Sequence, residues 1–409
     1  MKEFFKVTDL QKVLGYASDF PLVDAEDVML HNATHRILAK DMVADVDLPD
    51  FRRSTMDGYA VRASSTFGAT EGNPAYLNVQ GFVAMGESPV VSVGNGEAAK
   101  ISTGGMLPNG ADSVVMIEHS ESIDDTSIEV FRSVAPGQNI LETGEDINKN
   151  DTLLFRGQKL RPQEVGLLAA FGHDKICVYR KPLISVISTG DEVVPIEEKT
   201  VLGQIRDINT YTLQSLVMKA GAIPVSLGIV KDNFDDLLEK CAQAQERSDM
   251  VLISGGSSVG TRDYTIEVLS ALSDSNILVH GISISPGKPT ILARSRNQAF
   301  WGIPGHVVSA MVVFEVVVKP FIEHIGGLSE KNRNQVKLAA LLNRNVSSAQ
   351  GRTDFVRVRL IKGDGVLWAE PILGKSALIN TMVQADGLIE IGLNTEGLDK
   401  GTTVEIIPL

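Results

Sequence analysis

The sequence predicts a multidomain α/β plus β protein. Its parts are a doubly wound α/β domain, an inserted β-rich lobe, a helical scaffold segment and a C-terminal β-barrel-like domain. Three observations predict this. At 409 residues the chain exceeds one average domain. From about 179 to 328 apolar strand-like runs alternate with amphipathic helical runs across short loops, the pattern of a parallel doubly wound sheet. Before and after that stretch the texture is short β-type runs punctuated by Gly, Pro and Asn.

Taken in order, "VTDLQKVLGYA" and "DAEDVMLHNATHRILAKDM" space their apolar residues by three and four, predicting two helices with Thr8 and Asp24 as N-caps. The expected scaffold comprises 1–45 and 147–178, the latter including the helical "RPQEVGLLAAFG". Residues 46–146 read as the inserted lobe, 179–328 as the α/β domain and 329–409 as the C-terminal β domain. Within the α/β domain, "LISVIS", "IPVSLGIV", "DMVLISGG", "NILVHGIS" and "QAFWGIPG" are expected strands. "NTYTLQSLVMKAGA" is an expected helix with Asn209 as N-cap and Gly221 near its end.

Hydrophobic content of 43% and charged content of 22% describe an ordinary globular protein. The apolar runs are too short to span a bilayer, and "MKEFFKVTDL" lacks a signal-peptide core, so a cytoplasmic protein without membrane association is expected. The net charge of −13, without a basic run, argues against nucleic acid as a partner. Cys177 and Cys241 form no CxxC or Cys/His pattern and read as structural thiols.

Ligands of open parallel sheets bind beyond the carboxyl ends of the strands. Here those ends carry Thr189-Gly190-Asp191-Glu192, Lys231-Asp232, "SGGSSVGTRD", "SPGKP" and "IPGH". In "SGGSSVG", Gly255 and Gly256 allow close backbone approach, and Ser257 and Ser258 add hydroxyls, so the loop can cradle phosphate. It matches neither a P-loop nor a dinucleotide fingerprint, and a flexible turn accounts for the same residues. Asp191, Glu192, Asp232 and Asp263 would repel a phosphate unless a divalent cation bridged them, which suggests Mg²⁺. N-capping is the alternative for Asp232 and Asp263. Lys288, held between prolines, offers a compact charge to an oxyanion. Pro304, Gly305 and His306 open a helix whose first N–H groups favour anions, although His306 could equally be a cap or merely exposed. In the lobe, Asp57-Gly58 reads as a hairpin turn, and 102–112 is rich in turn residues.

Together these segments resemble the MoeA family of molybdopterin molybdenumtransferases, which includes the gephyrin E domain. The matching runs include "STMDGYAVR", "ISTGGMLPNGADSVVMIEH", "GEDI", "ISVISTGDEVV", "GQIRDINTYTL", "LISGGSSVGTRDYT", "SPGKP", "GIPGHVVSA" and "GRTDFVRVRL", in family order. The resemblance implies a molybdopterin-binding role for the α/β domain and an elongated homodimer with its site between subunits. It implies that adenylyl-molybdopterin and molybdate are substrates, that Mg²⁺ assists, and that AMP is released. Catalytic roles are implied for Asp57, Thr103, Asp146, Glu192, Asp232 and Asp263. Metal binding is implied for Asp191, Glu192, Asp232 and Asp263. Substrate binding is implied for Thr189, Gly190, Gly255, Gly256, Ser257, Ser258, Lys288, Pro304, Gly305, His306 and Arg352. Implied partners are the molybdopterin adenylyltransferase and molybdoenzyme-maturation proteins. The alternatives are the adenylyltransferase step itself, or a non-catalytic molybdopterin-binding scaffold. Three departures stand out: Ser285 where a second Lys is common, Val307 where Pro is common, and "GKSALINT" where a Gly-rich segment with paired serines is common.

Overall fold

The computed structural model describes residues 7–255, 264–333, 336–363 and 365–409. Of the residues singled out in the sequence, Gly256, Ser257, Ser258 and Asp263 lie outside the described residues. The chain divides into two compact units, one of 7–40, 156–169 and 173–409, the other of Asp41–Phe155 with Ala170–Gly172.

In the first unit, Leu10–Gly15 is helical, and its cap is Asp9 rather than Thr8. The Asp9 carboxylate accepts from the amides of Gln11 and Lys12 at 2.9 and 3.4 Å, the role of an N-cap directly before the first helical residue. The second expected helix is not formed. Ala25–Met29 is a strand, paired antiparallel with Lys175–Tyr179 from Ala25 opposite Tyr179 to Met29 opposite Lys175. His35 at φ 64° is incompatible with a helix through 24–42. Pairing with a distant strand overrides a local periodicity carried by few apolar residues.

A six-stranded sheet organises the same unit, in the order Ile223–Val230, Leu183–Thr189, Met250–Ser254, Gln298–Ile303, Ile291–Ser295, Ser275–His280. The first four strands are parallel, as the alternating pattern predicts, but the last two join antiparallel. The sequence reading has no strand at Ile291–Ser295. There the chain reverses through Arg296-Asn297, with Arg296 at φ 51°, so a tight turn replaces a crossover helix. The sheet buries both faces, and its central strand Met250–Ser254 is buried throughout and apolar up to Ser254. Leu252 and Trp301 face one core with Leu213, Val217 and Phe321 from helices Asn209–Lys219 and Lys319–Ile325. Trp301 meets Phe321 edge-on, centroids 4.9 Å apart, a geometry that adds about 0.5–1.5 kcal/mol beyond burial. Ile253 and Phe300 face the other core, with Leu237, Cys241, Val268 and Leu269 from helices Phe234–Gln245 and Tyr264–Ala271.

The C-terminal strands close into the expected barrel. Thr353–Gly363 pairs with Val366–Pro371, then Leu338–Leu342, Thr403–Pro408 and Gly387–Ile391 follow, and the last pairs back onto Thr353–Gly363. The two-residue strand Ile284–Ser285 adds to this barrel in parallel, Ile284 opposite Thr353 and Ser285 opposite Asp354. The "SPGKP" segment therefore starts on the barrel wall.

The second unit is β-rich. Its main sheet runs Ser113–Met116, Gly58–Val61, Glu97–Ile101, Ala75–Val83, Ser127–Val130, Ser120–Ser122. Asp57-Gly58 is not the tight hairpin expected. Gly58 begins a strand between two antiparallel neighbours, Ile101 on one side and Met116 on the other, while Arg53–Ser54 pairs elsewhere, with Ile140–Leu141. A Cβ at Gly58 would collide with the Val115 carbonyl, so glycine is there for close backbone approach.

Candidate functional site

The parallel strands end on one edge of the sheet. At the first of these ends, Thr189 is buried and Gly190 donates its N–H to the Val230 carbonyl at 3.2 Å, tying two strand ends together. The Asp191 carboxylate then accepts from the backbone N–H of Asp232 at 3.3 Å. Desolvation pushes the Asp232 carboxyl above the usual carboxylate range, and the charges of Asp191 and Glu192 push it further. The helix Phe234–Gln245 is capped by Asn233, which accepts from Asp235 and Asp236 at 2.9 and 3.1 Å. The capping role open to Asp232 is thus taken by its neighbour. Among the described residues, no three His, Cys, Asp or Glu side chains gather closely enough to hold a metal ion unaided. Crowded carboxylate oxygens are the donors that a hard cation such as Mg²⁺ takes, with substrate phosphates completing its shell.

The next strand leads through Ser254 into Gly255. Gly255 sits at φ 114°, and its N–H donates to the Ile303 carbonyl at 3.2 Å. A Cβ on it would collide with the Thr189 carbonyl oxygen and lie 2.5 Å from the Thr189 hydroxyl. Glycine is therefore required for the strand end to lie against its neighbour. Asn209 ties this region together. Its Nδ2 donates to Ser254 Oγ and to the Gly305 carbonyl, both at 2.7 Å, while its Oδ1 is buried without a hydrogen-bond partner. Asn209 lies inside the helix rather than capping it. Asp207 Oδ1 accepts from the Thr210 N–H at 3.0 Å and from Ser188 Oγ at 2.8 Å, taking the cap role. Sequence reasoning missed Asn209 as a clamp because its two partners are distant in sequence; the signal available was the polar run "RDINT" at a strand-end loop.

Pro304 is buried, whereas Gly305 and His306 are exposed at the helix start. His306 Nδ1 lies 2.9 Å from Ser376 Oγ, and the Ser376 carbonyl accepts from the Val308 N–H at 3.0 Å. Lys288 is exposed, but its loop is fixed. Its carbonyl accepts from the Ile282 N–H at 2.9 Å, and Thr290 Oγ1 donates to the Gly287 carbonyl at 2.6 Å. Gly287, at φ 118°, leaves no room for a Cβ beside Val313. Arg352 pairs with Asp354, Nε to Oδ1 2.9 Å, and Ser348 Oγ donates to Asp354 Oδ2 at 2.8 Å. The structure thus sets Thr189, Gly190, Asp191, Glu192, Asp232, Gly255 and Pro304–His306 along the strand-end edge. Lys288 follows the strand that joins the barrel, and Arg352 precedes the barrel strand it joins.

In the second unit, Asp57 and Thr103 are exposed and directly linked, the Thr103 N–H donating to Asp57 Oδ1 at 2.7 Å. The Asp57 carbonyl accepts from Ile117 at 2.9 Å, so the residue is held from two sides. Asp146 is exposed on a separate loop, its N–H donating to the Leu48 carbonyl at 3.1 Å.

Three family models match the chain in succession: the MoeA N-terminal region (domains I and II) over residues 7–172, a probable molybdopterin binding domain over 185–324, and the MoeA C-terminal region (domain IV) over 339–409. A molybdopterin molybdenumtransferase of Haemophilus influenzae is 33% identical over 391 residues, covering 95% of each chain. One of Bacillus subtilis is 31% identical over 388 residues, 94% of this chain and 90% of the relative. A crystal structure of a molybdopterin biosynthesis MoeA protein from Pyrococcus horikoshii superposes with a TM-score of 0.85 at 32% identity, covering 99% of this chain and 100% of that one.

Proposed function

The chain belongs to the MoeA family, transferases of molybdenum cofactor biosynthesis, and from that premise we propose that it inserts molybdate into adenylyl-molybdopterin with Mg²⁺-dependent release of AMP. The observation that carries this reading is the strand-end edge. There the mutually repelling carboxyls of Asp191, Glu192 and Asp232 stand beside the close-approach backbone of Gly190 and Gly255. Such an edge lets a phosphate approach the backbone closely and offers carboxylate oxygens to a cation at the same time.

In this reading Gly255, with Gly256, Ser257 and Ser258, receives the phosphate region of the pterin, and Thr189, Gly190, Pro304, Gly305 and His306 line its approach. Asp191, Glu192, Asp232 and Asp263 would hold Mg²⁺, which when bound neutralises pyrophosphate charge. Lys288 and Arg352 balance the charge of the pyrophosphate or of molybdate. Asp57 uses one oxygen on the Thr103 N–H, and its other oxygen is available to orient water or the incoming oxyanion. We infer a cytoplasmic homodimer in which Asp57, Thr103 and Asp146 serve the partner copy's site, working beside a molybdopterin adenylyltransferase and molybdoenzyme-maturation proteins.

The adenylyltransferase reading would need only the α/β domain; the barrel and the second unit favour insertion. The test is to supply adenylyl-molybdopterin, molybdate and Mg²⁺ and follow AMP. Release of AMP that requires all three supports the proposal. Consumption of ATP with free molybdopterin, and none of adenylyl-molybdopterin, would replace it with the adenylyltransferase reading.

A further inference from the structure

Four strands of the second unit's sheet come together at one edge. Gly58–Val61 begins there, with Gly58 opposite both Ile101 and Met116, and Val83 lies opposite Ile101 from the other side. Just beyond these strand ends stand Asp57, Thr103, Ile117 and Met85. Hydrogen bonds tie them into one rim. The Thr103 N–H donates to Asp57 Oδ1 at 2.7 Å, the Ile117 N–H to the Asp57 carbonyl at 2.9 Å, and the Gly104 N–H to the Ser54 carbonyl at 2.8 Å. Met56 is held on the same turn, its N–H donating to Ser54 Oγ at 3.2 Å. A Cβ on Gly104 would come within 3.5 Å of the Met85 methyl carbon, so Met85 lies over the chain beside Thr103.

The rim also carries exposed apolar side chains. Met56, Met85 and Ile117 are 39%, 57% and 41% exposed, and they flank the Asp57–Thr103 pair. Apolar residues exposed singly are ordinary, but a strip of them around a polar pair marks a binding surface. Phosphate and molybdate are poor occupants of the strip itself, because they would give up hydration there for no counter-charge. An uncharged planar ring is a good one. Two of the three side chains are methionines, whose flexible thioethers adapt to a ring and contact its edge favourably.

We propose that Met56, Met85 and Ile117 form the seat for a heteroaromatic ring of the substrate, with Met85 the main determinant of its affinity. This deepens the insertion reading and rests on it for the ring's identity, since adenylyl-molybdopterin carries both an adenine and a pterin. The seat positions the ring beside Asp57 and Thr103; the thioethers make and break no bond.

The experiment compares the full wild-type chain with Met85→Ala, Met85→Leu and Phe67→Ala. Phe67 is 63% exposed but follows the opposite end of the strand Gly58–Val61, so it controls for the loss of any exposed apolar group. AMP release gives KM and kcat for adenylyl-molybdopterin, and equilibrium dialysis gives the affinities for AMP and for molybdopterin. Met85→Ala is expected to raise KM by about fivefold or more, with the loss in KM rather than kcat, as removal of uniform binding requires. Met85→Leu restores the apolar cover and is expected within about twofold of wild type, as is Phe67→Ala. A loss of affinity in dialysis supports the proposal and names the ring, adenine if AMP is affected and pterin if molybdopterin is. Unchanged KM with unchanged affinity for both ligands in Met85→Ala overturns it, as does an equal loss in Phe67→Ala. Met85-dependent ring binding by a wild type that releases no AMP would sink the insertion reading and leave the ring seat standing; AMP release with Met85-independent binding would do the opposite.

Discussion

Asn209 Nδ2 donates to Ser254 Oγ at 2.7 Å, and its second hydrogen reaches the Gly305 carbonyl at the same distance. One amide therefore fixes the strand end that leads into Gly255 relative to the loop that carries His306. Removing it leaves two acceptors to find water or move. Each such bond contributes about 0.5–1.5 kcal/mol net, so Asn209→Ala is expected to lower turnover by roughly 10- to 100-fold through lost positioning. Asn209→Asp keeps the shape but replaces the donors with acceptors, and is expected to be at least as damaging. Kinetics of AMP release, compared with far-UV circular dichroism to confirm the fold, check this.

The carboxyl of Asp232 is held above its ordinary range by desolvation and by the Asp191 and Glu192 charges. Between the ordinary carboxylate value and this raised one, the folded chain binds more protons than the unfolded chain. Stability therefore falls as pH rises through that window. Asp232→Asn removes the penalty and should raise the melting temperature at pH 7 by roughly 1 °C, a small gain because solvent screens a partly exposed charge. The gain should vanish below the carboxylate range, where the wild-type carboxyl is protonated. Mg²⁺ should stabilise the wild type more than Asp232→Asn. Thermal melts at pH 3 and 7, with and without Mg²⁺, test each statement; a variant less stable than wild type at pH 7 would contradict the electrostatic picture.

Asp57 uses its carboxylate to accept from the Thr103 N–H. Asparagine can still accept that bond through its amide oxygen, so Asp57→Asn should keep its melting temperature within about 1 °C of wild type, as substitutions away from core packing do. If the charge has a chemical role, the same variant should lose about 100-fold or more in turnover. Full activity with intact stability would reduce Asp57 to a turn residue.

The Lys288 loop is rigid around an exposed ammonium, with Gly287 pressed on Val313 and Thr290 closing the turn. Lys288→Ala should therefore leave the backbone in place and reduce turnover through lost charge, by roughly tenfold or more. Ser285→Ala removes one neutral hydroxyl and should cost about threefold, in line with a single net hydrogen bond. Equal, small effects would mark the loop as a plain turn.

The alternating stretch was legible because strand and helix periods differ, and because a doubly wound topology gathers strand-end loops on one edge. Asp191 and Asp232, distant in sequence, meet there for that reason. What escaped the sequence reading depends on long-range pairing. Ala25–Met29 became a strand because Lys175–Tyr179 supplies a partner. Ile291–Ser295 was hidden behind the prolines that precede it, and its antiparallel turn uses Arg296, not a turn-forming glycine. Asn209 looked like a helix cap since local spacing cannot show a side chain's distant partners.

The most direct test of metal insertion is the metal itself. Purified protein is incubated with adenylyl-molybdopterin, Mg²⁺ and molybdate, and the pterin product is isolated and its molybdenum measured by mass spectrometry. The account predicts one molybdenum per molybdopterin, appearing in step with AMP and absent when molybdate is withheld. AMP released at the same rate without molybdate, with a pterin product free of metal, would contradict it.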